Sequence, residues 1–386
     1  MPVLRRGGAL LLSAALVSAA GATAHADEPG WTLLVMPAGE SSRVLALAAN
    51  RERDAVAMLY AESDQGGTAE QLRLAAFDAG GKLFKSADLG PLLAGEKIVM
   101  HSKAGLVVDG NGVAYVALGA SAGEVAFSAR DLRRGTAGLF KPLKVGSGSA
   151  LVTAMLVSKT GSLMLAGAVD GKGSVSEVSK QGALAWTKFY DQVVVVVVVL
   201  DLAETDSGLV ALGGMPGKQF FDGLWLARIG PAGAVLETQS RQGTSRFARL
   251  GGGPQRPGQV YEKLGADMET ATVLTESFGS AASLRETRVA TLYRRRLTAP
   301  FGVVQANERL VAASVVARGQ LQMLEVRPEA RTAPLFVSAA KAPDFVRFHS
   351  VDIVGTSGAV YLAALRSRAD GRCQQLELVF AKIPAR

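Results

Sequence analysis

The feature that most constrains the fold of this chain is a short strand motif that recurs at a near-constant spacing. In each copy, a turn rich in Gly, Asp or Asn precedes a strand of small and β-branched residues. The copies are DGNGVAYVALGA (109–120), KTGSLMLAGAV (159–169), DSGLVALGGM (206–215), NERLVAASVV (307–316) and TSGAVYLAALR (356–366). The turn glycines Gly112, Gly161 and Gly208 are 49 and 47 residues apart. A period of this length indicates a repeat architecture rather than one continuous core.

A second pattern follows the motif and completes each repeat. It consists of an alternating strand, a turn and another strand, as in residues 70–89, 173–190 and 222–240. Each unit therefore contains four short strands and almost no helical periodicity. Four strands in a unit of about 40–50 residues are typical of a β-propeller.

We therefore expect an all-β fold, a single β-propeller of seven four-stranded blades over residues 27–386. The predicted units are 40–97, 98–147, 148–191, 192–243, 244–296, 297–343 and 344–386. The fifth unit is the weakest, because GGGPQRPGQ (251–259) is predicted to interrupt its first strand. The last unit has only three clear strands, so WTLLVM (31–36) is expected to complete it and remove an open edge.

Seven consecutive valines, Val193 to Val199, form the most apolar stretch of the repeat region. With Leu200 the run is eight residues long, too short for the about 20 residues of a membrane-spanning helix. A strand that is buried on both faces reads as a continuous β-branched run. The run is therefore predicted to be the innermost strand of the fourth blade.

Residues 1–26 have the pattern of a signal peptide. Arg5 and Arg6 precede an apolar stretch, and Ala24-His25-Ala26 fits the small-x-small cleavage pattern. We expect a periplasmic or secreted protein of the bacterial envelope, without a membrane span after cleavage. Its one cysteine, Cys373, excludes an internal disulfide. The net charge of +8 is scattered along the chain, which does not favour nucleic-acid binding.

Two units, residues 159–190 and 206–240, resemble the repeats of secreted bacterial β-propellers, and are similar to pyrroloquinoline-quinone-type repeats. In both units a strand ending in Ala-Gly or Gly-Gly leads to an alternating strand, a Gly turn and a closing strand. The resemblance implies the architecture and is nearly silent on activity. A quinone cofactor is not expected, because the chain has only three tryptophans and lacks a haem-attaching C-x-x-C-H motif.

Candidate ligand-binding residues lie where the chain is predicted to enter the innermost strands, around a central funnel. His101 and His349 both precede a serine and occupy near-equivalent positions of two units. Arginines in the same connections would favour an anionic ligand, because a guanidinium donates in a fork to carboxylate or phosphate. The candidates are His101, Ser102, His349, Ser350, Arg43, Arg246 and Arg295. The alternative interpretation is that these are ordinary solvated loop residues.

Motifs for specific chemistry are absent from the sequence. G-x-S-x-G and a phosphate-binding Walker loop do not occur, and His101 and His349 lack partners at a diagnostic metal-ligand spacing. DGNG (109–112) resembles part of a calcium loop but is explained as a turn between strands. We therefore expect no metal, no cofactor and no catalytic residue.

The sequence favours a non-catalytic exported β-propeller that binds a ligand or a protein, as a monomer or as a subunit of a complex. One alternative is a hydrolase or lyase with its site in the funnel around His101 and His349. The other is an accessory subunit of an envelope redox assembly. The partner expected is a small anionic ligand or another protein, not a nucleic acid.

Overall fold

A computed structural model of the protein describes the greater part of the repeat region. The described residues are 32–35, 43–50, 55–63, 70–91, 104–134, 140–191, 195–206, 208–218, 221–245, 248–252, 257–264, 270–277, 287–293, 301–306, 309–315, 321–327, 331–337, 345–355, 359–369 and 374–384. The predicted signal peptide lies outside them. Within them the regular structure is 28 strands and two short 3₁₀ turns, Ser121–Gly123 and Pro231–Gly233.

The strands form antiparallel four-stranded sheets, which are numbered here in chain order. Sheet 1 contains β2 (Arg43–Asn50), β3 (Ala55–Ser63), β4 (Glu70–Phe77) and β5 (Leu83–Pro91). Sheet 2 contains β6 (Gly105–Val108), β7 (Val113–Gly119), β8 (Glu124–Asp131) and β9 (Lys141–Lys144). Sheet 3 contains β10 (Ala150–Val157), β11 (Leu163–Val169), β12 (Lys172–Val178) and β13 (Leu184–Phe189). Sheet 4 contains β14 (Val198–Thr205), β15 (Gly208–Met215), β16 (Phe221–Ile229) and β17 (Val235–Ser245).

The remaining sheets repeat this order. Sheet 5 contains β18 (Ala248–Gly252), β19 (Pro257–Leu264), β20 (Thr270–Ser277) and β21 (Thr287–Tyr293). Sheet 6 contains β22 (Phe301–Ala306), β23 (Arg309–Val315), β24 (Leu321–Arg327) and β25 (Arg331–Val337). Sheet 7 contains β26 (Phe345–Gly355), β27 (Ala359–Ala369), β28 (Gln374–Pro384) and β1 (Thr32–Val35).

The first strand of each repeat is the innermost strand of its sheet. These inner strands contact one another in the closed order β2, β6, β10, β14, β18, β22, β26 and back to β2. Beyond β28, sheet 7 is completed by β1, in which Thr32 pairs with Phe380 and Leu33 with Val379. The segment predicted at 31–36 therefore forms a strand of the last sheet. Radial sheets around a ring of inner strands are the architecture of a β-propeller.

The expected count of seven blades needs a correction. Backbone pairing gives seven four-stranded sheets, but a blade is defined also by the packing of its faces against its neighbours. Side chains are described at more than half of the residues in five sheets only, sheets 1, 2, 3, 4 and 7. The structure therefore establishes five blades rather than seven, sheets 1, 2, 3, 4 and 7; the side chains described in sheets 5 and 6, such as Leu250 and Met323, pack against sheets 4 and 7.

The predicted position of the valine run is confirmed at its C-terminal end and wrong for the described valines before it. β14 begins at Val198, so only Val198 and Val199 of the run lie on the inner strand, while Val193 and Val194 are outside the described residues. Just before β14, the Val196 backbone bonds to sheet 3, whereas the Val197 backbone already bonds to β15, the strand that pairs with β14. The Val196 carbonyl accepts from the Gly173 N–H at 2.7 Å, and the Val197 N–H donates to the Gly214 carbonyl at 3.0 Å. Identical residues carry no register signal, so tertiary contacts decide where the strand starts.

The predicted interruption of the fifth unit is also wrong. The glycines of GGGPQRPGQ end β18 and its last residues begin β19, with Gly252 paired to Pro257. The stretch is therefore the connection of a hairpin, which is a common place for Gly and Pro.

The cores lie between neighbouring sheets. One cluster joins sheets 1 and 2 through Leu59, Leu74, Leu106 and Val116. Corresponding clusters lie between sheets 2 and 3 and between sheets 3 and 4. Apolar residues on both faces of the middle strands, such as the fully buried β11, explain why these strands do not alternate. In the part of the chain that the structure describes, no helix has the length and apolar character to cross a membrane.

Candidate functional site

The predicted funnel residues are only partly covered by the described chain. His101, Ser102, Arg246 and Arg295 lie outside it. Arg43 is the first residue of β2, opposite Ala61, and Ser350 lies on β26, opposite Leu365. His349 lies inside the inner strand β26 rather than in the connection before it, which corrects its predicted placement. The convergence of His101 and His349 stays a prediction.

His349 occupies a bulge that recurs in the inner strands. The pairing of β26 with β27 skips from Phe348 to Ser350 and leaves His349 as the extra residue. The corresponding extra residues are Leu45 in β2, Thr153 in β10 and Leu200 in β14. A bulge bends its strand and frees backbone groups from the ladder. At the bulges of β2, β10 and β14, a polar group of the extra residue bonds to the next sheet.

The freed groups join consecutive inner strands. The Leu45 carbonyl accepts from the Ala104 N–H at 3.4 Å, and the Leu200 carbonyl accepts from the Arg249 guanidinium at 3.2 Å. The Thr153 hydroxyl donates to the Val199 carbonyl of the next inner strand at 2.5 Å. The inner ring is therefore connected by hydrogen bonds between sheets as well as by apolar packing.

The most elaborate polar cluster among the described residues surrounds Asp109, in the turn between β6 and β7. Its side chain is 3% exposed, and its Oδ2 lies 2.8 Å from the Lys180 Nζ of sheet 3. The Tyr115 hydroxyl donates to the same oxygen at 3.1 Å. Oδ1 accepts from the backbone N–H groups of Asn111 and Val113 at 2.9 and 3.1 Å. The carboxylate therefore closes its own turn and holds the neighbouring sheet.

The first sheet also reaches this cluster. The Asn50 side-chain amide at the end of β2 donates to the Asp109 carbonyl at 2.7 Å. Asn50, Asp109 and Lys180 thus connect sheets 1, 2 and 3 at one point. Both carboxylate oxygens of Asp109 and its carbonyl are used by protein donors, so Asp109 acts in the turn as a structural residue.

The electrostatics of the cluster follow from these contacts. Burial by itself would raise the pKa of Asp109. The hydrogen bond from Lys180, the two backbone N–H groups and the positive charge of Lys180 outweigh burial and lower that pKa below its usual value. Burial, together with the charge of Asp109 and the hydrogen bond to it, raises the pKa of Tyr115. Asp109 is therefore ionised and Tyr115 neutral at pH 7, which suits a structural clamp.

A second recurring contact joins an outer turn of one sheet to an aromatic residue of the sheet beside it. The Tyr361 hydroxyl and the Lys382 ammonium group both donate to the Ala79 carbonyl, in the turn between β4 and β5. The Tyr190 hydroxyl donates to the Gly233 carbonyl, in the turn between β16 and β17, at 3.2 Å. The same position of sheet 3, Gly182, lies against the Phe127 ring.

These turns use glycine for two reasons. Gly81, Gly182 and Gly233 all have positive φ, between +75° and +84°, where other residues are strained. A Cβ on Gly233 would also lie 2.7 Å from the Lys188 Cβ and 2.8 Å from Trp186 Cζ3. The glycines therefore allow both the turn and its close approach to the neighbouring sheet.

Two other carboxylates are held in polar pairs. Glu377 is 2% exposed and accepts from the Arg366 Nε at 2.7 Å. Glu177 accepts from the Ser162 hydroxyl at 2.7 Å and from the Trp186 indole N–H at 2.5 Å. These carboxylates stabilise strand pairs. Among the residues that the structure describes, no three His, Cys, Asp or Glu side chains form a group that could hold a metal ion.

The outer surface is the other candidate binding region. Phe84 on β5, Leu184 on β13, and Val235 and Leu236 on β17 are exposed large apolar residues. All four lie near the beginning of an outermost strand. Exposed apolar side chains on rigid strands are suited to contact with another macromolecule.

Comparison with known proteins gives the fold and no family. No protein-family model matches the sequence, and no curated protein matches it. Among solved structures, an ulvan lyase of a new polysaccharide lyase family, bound to -[GlcA(1-4)Rha3S]-, is 9% identical with a TM-score of 0.53. The alignment covers 92% of this chain and 98% of that one. At this identity the likeness concerns the fold alone. The chain is a β-propeller.

Two further solved structures, both from Pyrococcus species, were matched at low identity. The acylaminoacyl peptidase of Pyrococcus horikoshii is 8% identical with a TM-score of 0.51, over 88% of this chain and 52% of that one. The β-propeller domain of the trilobed protease from Pyrococcus furiosus is 7% identical with a TM-score of 0.49, over 88% and 94%. The pyrroloquinoline-quinone-type resemblance stays a prediction, since these likenesses carry architecture only.

Sequence reasoning missed the contacts between sheets. Asp109 was weighed only as a turn or calcium residue, and Lys180, Tyr115 and Asn50 were not singled out. A signal was available in the repeat itself, because Gly81, Gly182 and Gly233 occupy the same turn in three units. Their conserved place in the repeat marks the turns that approach a neighbouring sheet.

Proposed function

We propose that this chain is a non-catalytic β-propeller that serves as a rigid binding scaffold in the cell envelope. The observation that carries the proposal is that buried polar groups join the sheets, while apolar side chains on the outer strands are exposed. The buried carboxylate of Asp109 and the turn carbonyls of Ala79 and Gly233 are bonded to neighbouring sheets, whereas exposed outer strands carry large apolar side chains. Polar groups hold the ring, and the outer surface is left for a partner.

Rigidity supports this role. The Asp109–Lys180 pair, the Tyr190–Gly233 hydrogen bond and the contacts of Tyr361 each join two sheets. A surface that is already ordered loses little conformational entropy on binding, so more of the contact energy appears as affinity. A partner that binds several sheets at once would benefit most.

The outer surface supplies the contact chemistry. Phe84 on β5 is 50% exposed, and the neighbouring positions of that strand alternate between exposed and half-buried. An aromatic residue on a rigid element is a typical anchor of a protein interface. The net positive charge of the chain adds attraction to acidic partners.

Residues 1–26 support the cellular location. Their basic start, apolar stretch and Ala24-His25-Ala26 site are those of an exported precursor. Fractionation of bacterial cells that express the full sequence tests this part. We expect the protein in the periplasm or medium with an N-terminus near Asp27, and retention in the cytoplasm at full length would contradict export.

The binding role is tested by chemical cross-linking of the tagged protein in cells, followed by identification of its cross-linked partners. The scaffold interpretation predicts that Phe84→Asp weakens the principal cross-link by about tenfold, the effect of losing one strong contact residue. Lys82→Asp, which changes an exposed residue of the adjoining turn, is the matched control.

A third variant separates the scaffold from an enzyme with a funnel site. His101→Ala combined with His349→Ala would leave scaffold binding unchanged, since the proposed contact residues lie on outer strands and His349 lies on the inner strand β26. Loss of the cross-link in this double variant, with Phe84→Asp unaffected, would favour the funnel and overturn the proposal.

A further inference from the structure

The outer strand β17 differs from the other outer strands of the molecule. Val235–Ser245 is 11 residues long, and seven of these residues are exposed. In the sheet order β14-β15-β16-β17 it is the terminal strand, paired to β16. The outward edge of a terminal strand offers backbone N–H and C=O groups to a further strand.

Other outer strands carry residues that discourage such pairing. β5 contains Lys85, β9 contains Pro142 between two lysines, β13 contains Lys188 and β25 contains Pro334. Lysine and proline on an edge strand oppose the addition of another strand. β1 and β21 lack both residues but are only four and seven residues long. β17 is the long outer strand with neither lysine nor proline. It bulges at Leu236 and between Gln242 and Ser245, and its pairing with β16 is regular from Glu237 to Gln242.

The sequence of β17 is complementary to itself. We propose that two copies of this chain associate through β17, edge to edge and antiparallel, about a two-fold axis that passes through Gln239. In this register Glu237 of one copy lies opposite Arg241 of the other, and Thr238 lies opposite Ser240. Opposite charges and paired hydroxyl side chains directly across two strands stabilise an antiparallel pair.

Symmetry doubles each of these contacts. A two-fold interface uses the same patch on both copies, so the Glu237–Arg241 pair occurs twice. Glu237 is available for such a pair, because its side chain is 54% exposed although it also contacts Arg228 of its own sheet. The register also brings Leu236, 61% exposed, next to the other copy and removes apolar surface from water.

The charge pattern of β17 favours a second copy of this chain as the partner that pairs with its edge. An unrelated extended segment would need its own acidic and basic residues at matching positions, whereas this chain supplies them on the same strand. The association does not depend on the proposed scaffold function, since a dimer can form whether or not the other faces bind a partner. It would make the protein a homodimer, whereas its sequence led us to expect a monomer or a subunit of a complex.

The test is the mass in solution of protein purified from cells that express the full 386-residue sequence, by sedimentation at several concentrations. We expect a concentration-dependent dimer. Glu237→Arg and Arg241→Glu, each alone, place like charges opposite each other twice and should weaken the dimer by about tenfold or more. The combined charge exchange, Glu237→Arg with Arg241→Glu, should restore it. Circular dichroism melts show that each variant is folded.

Each outcome decides the proposal. Restoration of the dimer by the charge exchange supports the register about Gln239. A protein that is monomeric at all concentrations overturns the proposal, and so does a dimer that the single variants leave unchanged. A monomer that instead binds an added extended peptide along β17 would show that this edge pairs with a different partner. That result would also overturn the dimer proposal. Failure of this test leaves the Phe84→Asp result, and with it the scaffold proposal, unaffected.

Discussion

The Nζ of Lys180 lies 2.8 Å from Oδ2 of Asp109, although the two residues are 71 positions apart in the chain. Lys180 belongs to an outer turn of sheet 3 and Asp109 to an inner turn of sheet 2. The pair therefore fixes the position of one sheet relative to the next.

Lys180→Met should destabilise the protein, because it leaves the Asp109 carboxylate buried without its cation. We expect a loss of about 1–3 kcal/mol in the free energy of unfolding at pH 7, from urea denaturation. Lys82→Met, in the equivalent turn of sheet 1, changes an exposed residue and should stay within about 0.5 kcal/mol of the parent. Equal effects of both substitutions would contradict the clamp.

The same pair predicts a dependence on pH. Because the pKa of Asp109 is lowered in the folded protein, its contribution is present above the unfolded pKa and is lost as pH falls through the folded pKa. The difference in unfolding free energy between the parent and Lys180→Met should therefore shrink as the pH is lowered from about 5 into the acid range, where Asp109 becomes protonated. A difference that stays constant over this range would show that Lys180 acts only through its aliphatic packing.

Gly233→Ala should cost more than Gly161→Ala, although both glycines have positive φ, +75° and +85°. The Cβ at Gly233 would meet Trp186 and Lys188 of the neighbouring sheet, whereas nothing lies within 4 Å of the Cβ position at Gly161. We expect about 1 kcal/mol of backbone strain at Gly161 and about 2–4 kcal/mol at Gly233. Thermal melts of the two variants provide the comparison, and similar melting temperatures would count against close packing of the turn.

Thr153→Val tests the hydrogen bonds of the inner ring. The substitution keeps the shape of the side chain but removes the hydroxyl proton, which lies between the Val199 carbonyl at 2.5 Å and the Ala166 carbonyl at 3.2 Å. We expect a loss of about 1–2 kcal/mol, since a buried hydrogen bond between two sheets is removed. Thr160→Val, whose hydroxyl contacts only the hydroxyls of two serines in an exposed turn, should be nearly neutral. Denaturant unfolding measures both, and a neutral Thr153→Val would mean that water replaces the hydroxyl.

Substitutions of two adjacent residues in the valine run should differ in their effect on the free energy of unfolding. Val196 is 1% exposed and packs against Gly173 and Gly213, whereas Val195 is 56% exposed. Val196→Ala should lower the unfolding free energy by about 1.5–3 kcal/mol, and Val195→Ala should change it by less than about 0.5 kcal/mol. The unfolding midpoints in urea report the difference. Equal losses of unfolding free energy would indicate that Val195 is buried like Val196, as the sequence-based prediction of a buried inner strand requires.

The valine run shows where sequence reasoning reaches its limit. Apolar and β-branched composition correctly indicates a buried stretch near the start of sheet 4, but it does not say which valine begins the strand. That decision comes from the backbone bonds of Val196 and Val197 to Gly173 and Gly214. Seven identical side chains have no pattern from which a register could be read.

The funnel hypothesis shows a different limit. The spacing of His349 from the following turn glycine placed it before the inner strand, yet β26 begins at Phe345 and His349 occupies its bulge. A bulge adds one residue to a strand without a clear sequence signal, so spacing alone did not show it. The recurring bulges at Leu45, Thr153 and Leu200 become visible only from the strand pairing.

The sequence by itself determined the local structure, namely an all-β chain with four strands in each repeat and hairpin turns such as DGNG. These features depend on residues that are close in the chain, so periodicity and turn chemistry are sufficient to predict them. The tertiary structure alone decided that Lys180 meets Asp109, that Tyr361 meets Ala79 and that β17 presents a long outer edge. Such contacts depend on how the twisted sheets pack around the ring, which brings together residues tens to hundreds of positions apart.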